Sequence, residues 1–178
     1  GSGADRVTGG ALSDVLDGGA GDDSLNGSSG VDVMSGGNGT DTYFADLTTD
    51  IISETNAVLA TGGNDIVYFV GTSGTFALSA NVERLALSGT AAINGTGNAL
   101  ANTIYGNAAA NSINGSSGAD TMSGANGTDT YFADLASDVV VESNAVLAIG
   151  GNDIVYFVGT SGTFALSANV ERLALSGA

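Results

Sequence analysis

Large apolar residues recur at nine-residue intervals through the first third of this chain: Val7, Leu16, Leu25, Met34, Tyr43 and Ile52. An aspartate precedes each by two positions, giving Asp5, Asp14, Asp23, Asp32, Asp41 and Asp50. Gly/Ser-rich stretches separate these pairs, the fullest being Gly18-Gly19-Ala20-Gly21 and Gly36-Gly37-Asn38-Gly39. Glycine tolerates positive φ and close backbone approach, so such a stretch bends sharply and turns its carbonyls inward. The residues after it, such as Asp23-Ser24-Leu25, predict a very short strand whose middle residue faces out and whose last faces a core. One unit is one turn and one strand, so two units close a coil, and each Asp stands over the Asp 18 residues on.

The beat continues in a weaker form. Val58, Val67, Phe76 and Leu85 keep the spacing, preceded two residues earlier by Asn56, Asp65, Gly74 and Glu83, but the glycine turns are gone. This predicts a degenerate solenoid with strands at about 65–70, 75–78 and 82–87. Asp65 and Glu83 are 18 apart and either share a cation or are neutralised by Arg84, the arginine being the favoured partner.

A longer period of 88 residues overlies the short one. Gly27–Gly89 matches Gly115–Gly177 at 53 of 63 positions. The chain therefore divides into repeats 1–88 and 89–178, read as one continuous solenoid over 1–178. Glycine-turn segments fall at about 3–53 and 95–141, and glycine-poor segments at about 54–94 and 142–178. In the second copy Asn102 and Asn111 replace Asp14 and Asp23, and Asp120, Asp129 and Asp138 restore the pattern. Counting Val58 as a coil position gives ten half-coils per period. Omitting it gives nine, and the two copies then present their turns on opposite sides.

The template Gly-Gly-x-Gly-x-Asp-x-apolar-x, carried by residues 18–44, resembles the RTX (haemolysin-type) calcium-binding nonapeptide repeat. That resemblance implies an all-β fold, a right-handed parallel β-roll or β-helix with Ca2+ bound in its Gly/Asp turns. Two carboxylates and several turn carbonyls form an oxygen cage suited to a hard cation with six to eight ligands. The expected pairs are Asp23 with Asp41 and Asp14 with Asp32, then Asp5 with Asp23, Asp32 with Asp50 and Asp120 with Asp138. Asn102 with Asp120 and Asn111 with Asp129 carry one carboxylate each, predicting weaker cages or asparagine ladders. Carried over by position, the carbonyls of Gly18 and Ala20 with those of Gly37 and Gly39 complete the best cage. Gly9 and Ala11 with Ser28 and Gly30 complete the second. Asp17, Asp22, Asp46 and Asp134 lie off the beat and are read as solvated.

Composition narrows the function. Three arginines face 19 acids, for a net charge of -16, so nucleic acid is a poor partner. Absence of Cys and His excludes disulfide staples and makes zinc improbable. Neither they nor lysine, also absent, can supply an activated nucleophile, and a catalytic acid pair would not be expected in both copies, so no enzyme is read here. No apolar run suits membrane insertion, and no N-terminal signal peptide is visible; an RTX-type secretion signal would lie beyond the last repeat. The reading is a calcium-binding structural or spacer module of a large secreted bacterial protein, extracellular or at the cell surface. It would stay unfolded at low calcium and fold outside the cell. Alternatives are an accessory calcium domain of a secreted hydrolase or epimerase, or an adhesin, surface-layer or filament module that self-associates end to end.

Overall fold

A computed structural model describes residues 1–55, 62–142 and 150–176. Seventeen short strands lie among them. In chain order they are β1 (Arg6–Thr8), β2 (Val15–Ala20), β3 (Ser24–Asn26), β4 (Val33–Asn38), β5 (Thr42–Ala45), β6 (Ile51–Ile52), β7 (Ile66–Phe69), β8 (Thr75–Ala77) and β9 (Arg84–Leu87). The second half adds β10 (Asn94–Thr96), β11 (Thr103–Tyr105), β12 (Ser112–Asn114), β13 (Thr121–Ser123), β14 (Thr130–Ala133), β15 (Val139–Val140), β16 (Ile154–Phe157) and β17 (Arg172–Leu175).

Up to β16 no strand pairs with the next one in sequence; β16 itself pairs with β17, a full coil of 18 residues later. Pairing runs from each strand to the one a full coil later, always parallel, so the chain winds as a parallel β-solenoid of about nine turns. One wall is an eight-stranded sheet, β1-β3-β5-β7-β9-β11-β13-β15. The other carries β2-β4-β6 and then β8-β10-β12-β14-β16-β17. Three-residue strands suffice because each is bonded above and below, which a lone hairpin of that length could not match.

The core is the column of central strand residues. Leu25, Met34, Tyr43, Val67, Leu85, Ile104, Ile113, Met122, Tyr131 and Val155 are fully buried. The register is Val7 to Leu25 to Tyr43 to Val67 to Leu85 on one wall. Leu16 to Met34 to Ile52 runs on the other. These are the apolar positions of the nine-residue beat. Leu25→Ala removes a side chain held between coils with no room to collapse, and is expected to cost about 2–5 kcal/mol. Urea unfolding at saturating Ca2+ would measure it.

Strand pairing bears on the number of half-coils, which the sequence leaves at ten or nine. Tyr43 pairs directly with Val67, so that coil is 24 residues long rather than 18. Among the described residues only Ile52 intervenes, on the opposite wall, and Val58 lies outside them. The second copy repeats the long coil between Tyr131 and Val155. Counted on the described strands, one 88-residue period holds nine half-coils. Tyr43 stands in the first wall and Tyr131 in the second, so equivalent turns of the two copies lie on opposite sides.

Candidate metal centres in the turns

The aspartates of the beat are stitched to one another along the stack. The backbone N–H of Asp5, Asp14, Asp23 and Asp32 donates to Oδ1 of the Asp one coil later, at 2.7, 2.8, 2.7 and 3.1 Å. Asn102 donates to Asp120 and Asn111 to Asp129 at 2.7 Å each, and Asp120 to Asp138 at 3.0 Å. This ladder fixes one carboxylate oxygen per coil and aims the other into the turn.

That second oxygen is the informative atom. Oδ2 of Asp23, Asp32, Asp41, Asp120 and Asp129 is buried and accepts no hydrogen bond. Each lies in the bend of its own turn, where a Cβ on Gly18, Gly27, Gly36, Gly115 or Gly124 would collide with it. A buried carboxylate oxygen without a partner is costly, and native structures rarely leave one. Burial accordingly pushes the carboxyls up, Asp41 and Asp120 to about 6 and Asp129 to about 7, against the lowering effect of the N–H bond each accepts.

The turn backbone faces these oxygens. Gly37 and Gly39 adopt φ of 99° and 124°, and a Cβ on either would strike the carbonyl oxygen of Gly19 or Gly21 in the turn below. From above, the Asn38 carbonyl accepts the Gly21 N–H at 2.8 Å. The carbonyls between these two turns are thus Gly19 and Gly21 with Asn38, one position offset from the set Gly18, Ala20, Gly37 and Gly39. In the neighbouring pair Gly10 accepts from Ser29 N–H at 3.2 Å, and Leu12 lies beneath Gly30. The Gly9 carbonyl of the expected set also faces this turn, accepting the Ser28 hydroxyl at 3.5 Å. The donors are all oxygen, which fits a hard cation such as Ca2+ and not a soft one. Among the described residues no three acidic side chains converge on one point, so an ion here must draw on turn carbonyls too.

The remaining sequence-predicted residues differ in environment. Asp5 is exposed and lies 3.4 Å from the terminal amine. Asp14 Oδ2 accepts the Gly10 N–H at 2.5 Å. Asp50 spends Oδ2 on the N–H groups of Asp46 and Leu47, and Asp138 does the same with Asp134 and Leu135. These bonds hold turns that have no glycine. The unpartnered buried atom there is Oδ1 of Asp46 or Asp134, two residues that the spacing assigns to solvent. Burial raises both carboxyls, and Asp46 feels Asp50 and Asp32.

Asn102 and Asn111 sit at Asp positions but leave no oxygen free. Their Oδ1 atoms accept from Asn98 N–H and Asn107 N–H at 2.7 and 2.8 Å. Their amides donate to Val82 and Ile93 carbonyls at 3.1 and 2.6 Å. Asn98 and Asn107 add further amide bonds to Ser79, Val82 and Ala91 carbonyls. An amide NH2 here takes the place a cation would take against inward carbonyls. Asn111→Asp puts an acceptor against those carbonyls and is expected to destabilise the calcium-free fold by about 1–3 kcal/mol. Thermal melts at the lowest Ca2+ concentration that folds the unmodified chain would read it, and an unchanged midpoint would contradict the amide's role.

Arg84 does not neutralise Asp65 and Glu83. It lies over the Tyr105 ring, 5.9 Å from the centroid, and Asp65 N–H instead donates to Glu83 Oε2 at 2.9 Å.

The RTX calcium-binding nonapeptide repeat matches in four copies, three of them overlapping over residues 1–34, 8–43 and 17–52 and a fourth over 96–131. This chain carries RTX calcium-binding nonapeptide repeats. The matched segments are residues 1–52 and 96–131, and the unpartnered Asp23, Asp32, Asp41, Asp120 and Asp129 oxygens all lie within them. RTX repeats are non-catalytic calcium-binding modules typical of secreted proteins. No curated protein sequence matches the chain. Among the described residues no helix is long and apolar enough to cross a membrane.

Proposed function

We propose that residues 1–178 act as one continuous calcium-stapled spacer within a larger secreted protein, unfolded at low calcium and folded outside the cell. The observation that carries this is the repeated unpartnered Asp Oδ2 in turns otherwise lined by carbonyls. Ca2+ between the Asp23 and Asp41 turns, the Asp14 and Asp32 turns and the Asp120-containing turns supplies the missing partner, with Asp46 and Asp134 contributing where Asp50 and Asp138 are already bonded. Sites between Asn102 and Asp120 and between Asn111 and Asp129 bind more weakly, because one side contributes no charge. Binding free energy then serves as folding free energy. A solenoid in which each coil touches only its neighbours suits a rod of adjustable length. Nothing among the chain's side chains supports catalysis: no His, Cys or Lys is present, and its acids are committed to repeating turns.

Sedimentation velocity with and without Ca2+ tests the spacer role. The expected result is an expanded coil in EDTA that becomes a compact rod of monomeric mass in Ca2+. Ordered assembly growing with concentration in Ca2+ would replace this reading with the filament or surface-layer alternative.

A further inference from the structure

Beyond the matched repeats, in each 24-residue coil, stands a second kind of acidic centre. Asp65 follows Gly62-Gly63-Asn64, and Gly63 takes φ of 91° directly over Gly39, whose carbonyl a Cβ would strike. The Asp41 N–H donates to Asp65 Oδ1 at 2.7 Å, so Asp65 continues the aspartate ladder across 24 residues. Glu54 stands 18 residues after Gly36 and enters the same turn: its Oε1 accepts the Tyr43 hydroxyl and the Gly36 N–H, the latter at 3.2 Å. Oδ2 of Asp41, Oδ2 of Asp65 and Oε2 of Glu54 are all buried without a partner. The three residues are 0, 1 and 7% exposed. The second copy reproduces each feature. Asp129 N–H donates to Asp153 Oδ1 at 2.7 Å, and Glu142 Oε1 accepts from Tyr131 and Gly124. Oδ2 of Asp129, Oδ2 of Asp153 and Oε2 of Glu142 are again unpartnered.

We propose that Asp41, Asp65 and Glu54, and likewise Asp129, Asp153 and Glu142, each bind an additional Ca2+ that closes the long coil onto the RTX run before it. This rests on the calcium reading of the RTX turns and extends it to residues outside the repeat. Among the described residues no arginine forms an ion pair with these carboxylates. The chain has no Lys or His, Arg84 lies on Tyr105, and among the described residues the only ion pair is that of the terminal amine with Asp5. Mutual repulsion is felt as well as burial: Asp65 is pushed up to about 8, by burial first and then by Glu54, Asp41 and Glu83, and Glu142 to about 7. The donors are carboxylate and carbonyl oxygens, the set Ca2+ prefers. Among the described residues no three acidic side chains form a metal-holding group by themselves, so this site also needs backbone oxygen, such as the Gly39 carbonyl that lies against Gly63.

The test counts bound Ca2+ by native mass spectrometry and equilibrium dialysis on the full chain and on two double variants, Asp65→Asn with Asp153→Asn and Glu54→Gln with Glu142→Gln. Each keeps the oxygen that accepts the ladder or turn N–H and removes the charge. Each variant is expected to bind two fewer ions than the unmodified chain while retaining the RTX ions. A folded variant with the full count overturns the proposal and leaves the RTX reading standing; an unmodified chain that binds no Ca2+ overturns both. If a variant fails to fold, Tb3+ emission excited through tyrosine decides on Tyr43→Phe with Tyr131→Phe, whose hydroxyls touch Glu54 and Glu142. Loss of most of the sensitised emission supports the sites, and unchanged emission overturns them.

Discussion

In EDTA at neutral pH, far-UV circular dichroism of this chain is expected to show an unfolded polypeptide, and millimolar Ca2+ to convert it to a β spectrum that equal Mg2+ does not produce. The effect is large because the same atoms that bind the ion oppose the fold without it. Five RTX aspartates present a buried oxygen with no partner, in a chain of net charge -16 with no lysine. Saturating one site at a hundred times its dissociation constant stabilises the folded state by about 2.7 kcal/mol. Domains are held by only about 5–15 kcal/mol in total, so two or three filled sites match the stability of an ordinary domain. The apolar column cannot substitute, because each coil buries few large side chains. Mg2+ is a poor replacement, since it holds its water and demands a small octahedral shell that carbonyl-rich cages do not offer. A full β spectrum in EDTA, unchanged by Ca2+, would show that the column folds alone and that the carboxylates do not drive folding.

The beat of nine made the inward column readable, because a period of two within three-residue strands leaves only one residue per unit that can face the core. Leu16, Leu25, Met34, Tyr43 and Ile52 all occupy it. The strands at Ile66–Phe69, Thr75–Ala77 and Arg84–Leu87 also fall where the weaker beat puts them. The length of the coil after Ile52 was hidden by a coincidence. Counting back nine from Val67 reaches Val58, an apolar residue, so spacing alone does not reveal that Tyr43 pairs with Val67. The acids outside the repeat had a signal that spacing from Asp50 obscured. Glu54 stands where Gly9, Gly18, Gly27 and Gly36 predict another turn opening, and Glu142 repeats it. Gly63-Asn64-Asp65 keeps the last half of a calcium turn, displaced by six residues. Asp46 and Asp50 exchanged expected roles for a local reason. A turn without glycine needs side-chain acceptors for its own N–H groups, and Asp50 supplies them, leaving Asp46 to carry the free oxygen.

Acid is expected to replace calcium. The buried carboxyls of Asp41, Asp120, Asp129, Glu142 and Asp65 sit at about 6, 6, 7, 7 and 8 in the folded chain, against 3.8 for Asp and 4.5 for Glu as ordinary values. Burial is the first cause in each, so the folded state holds these protons more tightly than the unfolded state does. Their contribution to calcium-free stability is therefore fully present below about pH 4 and is lost as pH rises through about 6 to 8. In EDTA the β spectrum should appear on acidification and disappear towards neutrality. Saturating Ca2+ should reverse the trend, because the ion requires the deprotonated carboxylates and competes with their protons. The calcium concentration at half-folding should then fall as pH rises across the same window. Circular dichroism over this range, in EDTA and in stepped Ca2+, separates the two states of the same turns. A chain unfolded in EDTA at every pH would mean that neutralising the carboxyls is not enough, and that the ion's bonds to turn carbonyls, absent from the protonated form, supply the larger share of the fold.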